Sequence, residues 1–271
     1  MVETKMNVQL LAKPALTESF YSHISRKLDE QDTDLQIIGA TDGQAVALTA
    51  IRTCYSANKP TEIVAKEGAK YFGSKASDGG TGTDADRLFR HIVRSGHSST
   101  LEHISFTFAI EGVSRALLAQ LTRHRVGFSF SVQSQRYVRM GSDDRSGGFD
   151  YVVPGKVEHG SEQAHFQRRE MSDGVDYGYA DEIFREAMDN AQYYYDMLRK
   201  SGVPAEDARA VLPNAAATNL VMTANLTALL SFYSKRKKGR GAQAEITELA
   251  EALRREVVDV EPWTSQFFEE V

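Results

Sequence analysis

Hydrophobic and polar positions follow two different periods along this chain. Apolar residues recur every three to four positions in five segments, which predicts amphipathic helices at 42–56, 84–95, 113–123, 181–200 and 245–258. Strict alternation predicts a half-buried strand at 101–110, and a second strand is predicted at 134–140. Glycine-rich and serine-rich segments predict mobile loops at 73–82 and 141–148. The mixture indicates a single α/β or α+β domain over residues 1–271.

One segment, 210–233, contains no charged residue and is long enough to span a bilayer. It carries Asn214, Asn219, Asn225 and several threonines, which hydrocarbon would leave without hydrogen-bond partners. The segment is therefore predicted to be a helix buried inside the protein or at a subunit interface. Its asparagines then need partners from other side chains or from a ligand.

Composition narrows the class of protein. The 271 residues carry a formal net charge of −5 and are 41% hydrophobic, which excludes a disordered chain and a bulk polycation that binds nucleic acid through net charge. The single cysteine, Cys54, excludes an intramolecular disulfide framework and a multi-cysteine zinc site. The first residues lack a basic segment followed by a long apolar run, so we expect no signal peptide and a cytoplasmic protein.

The most informative side chains are Arg123, His124 and Arg125, which follow an apolar helical segment and precede Ser134 and Arg136. Guanidinium groups donate paired hydrogen bonds to phosphates, and a serine hydroxyl can complete such a cradle, so this pattern indicates an anion site. A solvated basic helix end would show the same residues. A Ser–His nucleophile pair is a third interpretation, weakened by the lack of a nearby acidic partner.

Two further clusters allow several interpretations. His97, Glu102 and His103 could suggest a metal site, but on the predicted strand Glu102 and His103 point to opposite faces, which favours a hydrogen-bonding loop. Arg209 lies in an ARAVLP segment, and the run 235–240 is strongly basic. That run is typical of a solvated loop, and an RNA contact would need stacking aromatic residues that are absent between these positions.

These motifs, in this order, resemble those of the flavin-dependent thymidylate synthases. That family carries Arg-His-Arg, then seven or eight residues, then Ser-x-Arg, as at 123–136 here. The GHxxxxEH motif before a Phe-rich strand is matched at 96–108, SGVPxxxARxVLP at 201–213 and AQxEI at 242–246. The similarity covers about 50–246. The region around Gly73 and residues 141–179 do not align with the family motifs. Ala244 stands where the family usually has tryptophan, and Ile51, three positions before Cys54, stands where it has alanine.

The resemblance implies an activity, cofactors and an assembly. Members transfer a methylene group from 5,10-methylenetetrahydrofolate to dUMP, giving dTMP, with FAD reduced by NADPH as the hydride donor. It implies a central, mostly antiparallel sheet flanked by helices and a homotetramer with active sites between subunits, without nucleic-acid or membrane partners. Cys54 lacks the Pro-Cys-His setting of the unrelated thiol-dependent synthases, so the pyrimidine would be activated without a cysteine nucleophile.

The same resemblance assigns roles to individual positions. Arg236 would be catalytic, because a fixed guanidinium stabilises the N3-deprotonated uracil ring, and with Arg209 it would reach into a neighbour's pocket. The positions implied to bind dUMP are Gln120, Arg123, Ser134, Gln135, Arg136, Arg209 and Arg236. The positions implied to bind FAD are His97, Ser99, Arg123, His124, Arg125, Asn225 and Ser231. No metal site is implied.

Three positions depart from the family pattern. Val132 stands where many members carry Glu or Gln, Thr227 where Arg is frequent, and Ser231 where Asn or His is frequent. All three lie on the expected flavin or nucleotide side of the site. Two alternatives therefore stay open, namely a divergent flavoenzyme that modifies another pyrimidine nucleotide and a nucleic-acid-binding module that uses 123–125 and 235–240.

Overall fold

The computed structural model of the protein describes residues 1–29, 39–159, 166–167 and 177–271. The strands are β1 (Asn7–Ala12), β2 (Ser105–Ser114), β3 (Phe128–Val132), β4 (Phe166–Gln167), β5 (Tyr177–Gly178) and β6 (Ala217–Asn225). The α-helices are α1 (Glu18–Asp29), α2 (Asp42–Thr53), α3 (Ile63–Phe72), α4 (Asp84–Arg94), α5 (Arg115–Leu121), α6 (Gly155–His159), α7 (Ala180–Lys200), α8 (Ala205–Ala208), α9 (Leu226–Arg236), α10 (Ala244–Val260) and α11 (Ser265–Glu270). Short 3₁₀ helices span Pro60–Glu62, Ser98–His103, Arg209–Val211 and Pro262–Thr264.

The centre of the fold is a four-stranded antiparallel sheet in the order β1-β2-β6-β3. Along β2, Phe106, Phe108 and Ile110 are fully buried, while the residues between them are half-buried. Alternation of this kind places one face of the sheet against the core. The opposite face is more open, and there Thr107 and Thr223 share a hydrogen bond of 2.9 Å between their hydroxyls.

Helices cover the buried face of the sheet. Helix α9 packs against α10 and against the 3₁₀ helix Ser98–His103, and α10 also contacts β1. Phe232, Leu249 and Phe267 join the buried strand residues in one core. A smaller cluster under α7, built around Tyr195 and Phe149, supports the loops that follow β3. The expected α+β domain with an antiparallel sheet is confirmed.

The predicted amphipathic helices are confirmed, with ends that shift by a few residues. Thr41 and Thr83 form capping boxes at the starts of α2 and α4, which is why these two helices begin where their sequences predict. The segments 73–82 and 141–148 contain neither a helix nor an extended strand, as predicted. Their mobility stays a prediction.

Two predicted elements are wrong, and the strand predicted at 101–110 is confirmed with a later start. The uncharged segment 210–233 is not one helix, because residues 217–225 form strand β6 and only the part after Asn225 is helical. The strand predicted at 134–140 is a turn, in which the backbone N–H groups of Tyr137 and Val138 donate to the carbonyl of Ser134. The strand predicted from Leu101 begins at Ser105, after a 3₁₀ helix.

Candidate functional site

The Arg-His-Arg motif lies in the turn that links α5 to β3. Helix α5 begins at Ser114, whose hydroxyl caps it by accepting from the Leu117 N–H at 3.0 Å. The carboxylate of Glu245 in α10 accepts from the Ser114 N–H at 2.7 Å and from its hydroxyl at 2.6 Å. The AQxEI motif therefore anchors the start of the helix that leads into the turn with Arg123 and His124.

Helix α9 runs alongside this turn and holds it at both ends. At its N-terminus the Asn225 side chain accepts from the Ala228 N–H at 2.8 Å, while the Asn225 backbone N–H donates to the Gly127 carbonyl at 3.1 Å. At its C-terminus the Nε and Nη2 atoms of Arg236 each lie 3.3 Å from His124 Nε2. Two motifs that are distant in sequence thus meet at one imidazole.

The His124 ring is half-buried among aromatic side chains. Its centroid lies 4.9 Å from that of Phe232, edge to face, and 6.1 Å from that of Phe128. Burial lowers the pKa of His124, and the positive charges of Arg236, Lys235 and Arg123 lower it further. The imidazole is therefore neutral near pH 7, and it accepts a hydrogen bond from Arg236 at Nε2.

The GHxxxxEH motif lies beside the N-terminus of α9. The Thr227 hydroxyl donates to the Ser98 carbonyl at 2.8 Å, which ties the 3₁₀ helix to α9. His97 is half-buried, and its Nδ1 lies 2.8 Å from the Tyr55 hydroxyl, while Ser99 is exposed. His97, Ser99 and Asn225 are thus brought to the same end of the sheet as the Arg-His-Arg turn.

Glu102 and His103 lie on the 3₁₀ helix rather than on a strand, so the opposite-face argument against a metal does not apply to them. In the part of the chain that the structure describes, no group of three or more His, Cys, Asp or Glu residues is arranged to hold a metal ion. None of the described helices is both long and apolar enough to cross a bilayer.

A second group of polar side chains lies beyond the other end of β3. The Arg136 backbone N–H donates to the Ser134 hydroxyl at 3.3 Å, and its Nε donates to the Glu206 carboxylate at 3.1 Å. Arg209 Nε donates to the Glu206 carbonyl at 3.0 Å. Gln135 is 4% exposed, and its Nε2 atom has no partner among the described residues. This group presents a hydroxyl, two guanidiniums and an amide donor.

The sequence-derived site residues therefore fall into two groups rather than one. Arg123, His124 and Arg125 precede β3, whereas Ser134 follows it, and an extended strand of this length separates its ends by about 13 Å. Gln120 lies on α5, where its side chain donates to Gln243. Ser231 and Arg236 lie on α9, and Asn225 caps the N-terminus of that helix. Ser231 is exposed.

Sequence reasoning missed two partners of these residues. The Glu206 carboxylate pairs with Arg136 across 70 positions, and no local pattern indicates that contact. Tyr55 adjoins Cys54 in a matched motif, but its contact with His97 crosses 42 positions and no local pattern indicates it.

Comparison with known proteins identifies the family. Residues 36–263 match the model of the family described as thymidylate synthase complementing protein, Thy1. A flavin-dependent thymidylate synthase from Geobacter sulfurreducens is 39% identical over 82% of this chain and 80% of its own length. One from Nitratidesulfovibrio vulgaris is 44% identical over 60% of this chain and 59% of its own length.

Solved structures include a similar fold. A UMP/dUMP methylase, PolB, from Streptomyces cacaoi, solved with 5-Br dUMP bound, superposes with a TM-score of 0.63 at 22% identity, covering 99% of this chain and 97% of its own. This likeness supports the fold, and the sequence matches extend over most of the chain. The chain therefore belongs to the thymidylate synthase complementing protein family.

Proposed function

We propose that this chain is a thymidylate synthase that reductively methylates dUMP to dTMP. In this proposal 5,10-methylenetetrahydrofolate donates the carbon, and FAD, reduced by NADPH, is the hydride donor. The observation that supports it most directly is the Arg236 guanidinium, which is held at 3.3 Å from a neutral His124 ring. Family membership supports the same reaction.

The chemical problem is to make C5 of uracil electron-rich. A guanidinium beside the edge of the base stabilises the ring after loss of the N3 proton, and the negative charge then increases electron density at C5. His124 does not offset the positive charge of Arg236, because burial and neighbouring cations lower the pKa of the imidazole and favour its neutral form. We propose that this electrostatic activation operates without a cysteine nucleophile. The thiol of Cys54 lies at the end of α2, 3.8 Å from the Ala50 carbonyl.

The group beyond β3 suits the phosphate of dUMP. We propose that Ser134, Arg136 and Arg209 bind the phosphate, with Gln120, Gln135 and Arg123 completing the nucleotide site. Guanidiniums and a hydroxyl match phosphate oxygens, and the unpartnered amide of Gln135 adds a donor. The phosphate would compete with the Glu206 carboxylate for Arg136, since these two side chains are about half exposed and form an ion pair.

The separation of the two groups supports shared active sites. In one chain β3 keeps Arg236 and His124 apart from Ser134 and Arg136. We propose that a second copy brings its own Arg236 to this chain's nucleotide, as expected for a homotetramer, while Arg209 acts beside Arg136 in its own chain, where both contact Glu206. Such an arrangement lets one dUMP contact both groups without any distortion of the sheet.

The residues before β3 fit a flavin dinucleotide. Arg123 and Arg125 are exposed, and within the described ranges neither forms an ion pair, so both guanidiniums can donate to a pyrophosphate. We propose that these two side chains, with His97, Ser99, His124, Asn225 and Ser231, bind FAD. When bound, FAD would supply the hydride that completes the methyl group, and the chain's own residues would hold the dinucleotide.

An absorbance spectrum of the purified protein tests this proposal. We expect flavin bands that bleach with NADPH under anaerobic conditions, faster when dUMP is present, and formation of dTMP after methylenetetrahydrofolate is added. Parallel assays with UMP and dCMP test the divergent-flavoenzyme alternative. A colourless protein that cannot be reconstituted with FAD, and that binds long oligonucleotides in a salt-dependent manner, would refute the proposal.

A further inference from the structure

The contact between His124 and Arg236 does more than join two motifs. We propose that His124 is a positioning residue for Arg236, whose guanidinium it fixes through hydrogen bonds accepted at Nε2 without neutralising its charge. This inference rests on the proposed function, because it assigns Arg236 the task of activating the pyrimidine.

Packing fixes the orientation of the imidazole ring. Phe232 meets the ring edge to face at an interplanar angle of 82°, and Phe128 contacts it from β3 at 55°. Phe128 is itself stacked on Phe130, with centroids 5.8 Å apart. A ring enclosed in this way keeps one nitrogen facing Arg236, so the acceptor occupies a fixed position.

The charges around His124 explain why the acceptor is an imidazole. Arg236 and Lys235 face it from α9, Arg123 faces it from the turn, and Phe128 on β3 brings no charge. Within the described ranges Arg236 forms no ion pair with a carboxylate. A carboxylate at this place would bind the guanidinium strongly, but it would also cancel the charge that an anionic base needs.

A neutral acceptor therefore holds the Arg236 guanidinium without offsetting its charge. The hydrogen bond also requires one particular tautomer of the His124 ring. Because Nε2 accepts from Arg236, the proton of the neutral ring lies on Nδ1. Protonation of the ring removes the acceptor and adds a like charge beside Arg236. Since burial and the surrounding cations lower the pKa of His124, this loss occurs only on the acid side of its ordinary range.

Two substitutions separate the acceptor from the rest of the ring. His124→Gln supplies a carbonyl oxygen that accepts but does not titrate, and His124→Phe keeps an aromatic ring without an acceptor. We expect H124F to lower kcat for dTMP formation about tenfold to a hundredfold relative to H124Q, the range for a hydrogen bond with one charged partner. We also expect the acid limb of the wild-type kcat profile to be absent in H124Q. His91→Gln, which changes an exposed histidine of α4, is the matched control and should keep the wild-type profile.

A measurement that is independent of turnover completes the test. Nitrogen-15 NMR of histidine-labelled protein, with the His124 signal assigned by its loss in H124Q, should show a proton on Nδ1 at neutral pH. A proton on Nε2, equal kcat values in H124F and H124Q at matched flavin content, or an acid limb that persists in H124Q would each overturn the inference. A wild-type protein that makes no dTMP would refute the proposed function instead, and the tautomer would still decide the His124–Arg236 contact.

Discussion

Gly127 is a backbone position that supports the geometry of the turn carrying Arg123 and His124. It has a φ of +74° at the start of β3, and its carbonyl accepts from the Asn225 N–H. A Cβ atom added there would lie 2.7 Å from the Cβ of Ala228 and 2.8 Å from Asn225 Nδ2. Gly127→Ala would therefore strain the backbone and also push against the N-terminal cap of α9. Gly79 has a nearly identical φ of +75° with nothing within 4 Å, so Gly79→Ala is the matched control.

The two variants share the backbone penalty and differ in crowding. An alanine in the left-handed region costs about 1–2 kcal/mol at either position. At Gly127 the contact with Ala228 adds about 1–3 kcal/mol of overpacking, and displacement of the Asn225 cap adds about 1 kcal/mol. G127A should therefore be less stable than G79A by about 2–4 kcal/mol. In a chain of this size that difference corresponds to a gap in Tm of about 4–16 °C.

Thermal denaturation at one fixed protein concentration measures this gap, because association with other copies would otherwise shift Tm. The same samples, titrated with FAD, should show weaker binding by G127A, since the turn that carries Arg123 and His124 moves with Gly127. Equal Tm values for G127A and G79A would refute the reasoning that Gly127 is required by close packing. Such a result would leave only its φ angle to explain the glycine.

Four further predictions concern activation, nucleotide binding and stability. Arg236→Ala should lower kcat/KM for dTMP formation about 10²–10³-fold at unchanged flavin content, and a loss of only a few-fold would contradict its role. Ser134→Ala should raise the KM for dUMP about threefold to tenfold, and loss of turnover with normal binding would instead indicate a nucleophile. Glu245→Gln should lower the free energy of unfolding by about 1–3 kcal/mol in urea denaturation, because its carboxylate accepts both hydrogen bonds from the cap of α5. The pKa of Asp84 is held well below its usual range by hydrogen bonds from Arg87, so its contribution to stability is present above the ordinary aspartate pKa and lost as the pH falls. Asp84→Asn should therefore be destabilising at neutral pH and less so in acid, as urea midpoints across pH would show.

Local patterns predicted the amphipathic helices because their determinants are local. Asp84–Arg94 starts at a threonine cap with an aspartate three residues into the helix, and both signals are visible in the sequence. The same holds for Ala180–Lys200, which ends just before Gly202 and Pro204. Each of these helices buries one face against whatever the fold supplies, so its existence does not depend on a particular partner.

The uncharged segment 210–233 shows where such reasoning fails. Its lack of charge indicated burial correctly, but burial does not distinguish a strand from a helix. Thr218, Leu220 and Met222 are buried in alternation with exposed Asn219 and Val221, which is a strand pattern. The period changes to helical only after Asn225, which caps α9. A signal for two elements was present, but the continuous absence of charge concealed the boundary between them.

The strand after the Arg-His-Arg motif was misplaced for a different reason. Residues 128–132 alternate phenylalanine with serine, yet we predicted the strand at 134–140. β3 pairs with β6, so its hydrogen bonds depend on residues about ninety positions away in sequence. At Ser134 a local turn accepts two backbone N–H groups and ends the extended backbone. Which of two neighbouring segments pairs is thus decided by the partner strand.

In the candidate site, too, contacts between distant parts of the chain distinguish the residues, here by the charge of the partner that each arginine meets. The family resemblance gives Arg236 a catalytic role and Arg136 a dUMP-binding role, but the sequence does not show the partner of either side chain. In the fold Arg136 meets the Glu206 carboxylate at 3.1 Å, whereas Arg236 meets only the neutral ring of His124, 112 positions away. A cation already paired with a carboxylate can bind a phosphate only by exchanging partners, while one held by an imidazole retains its full charge for a ligand. The roles proposed for these two arginines, phosphate binding for Arg136 and activation for Arg236, therefore depend on the partners that tertiary packing supplies.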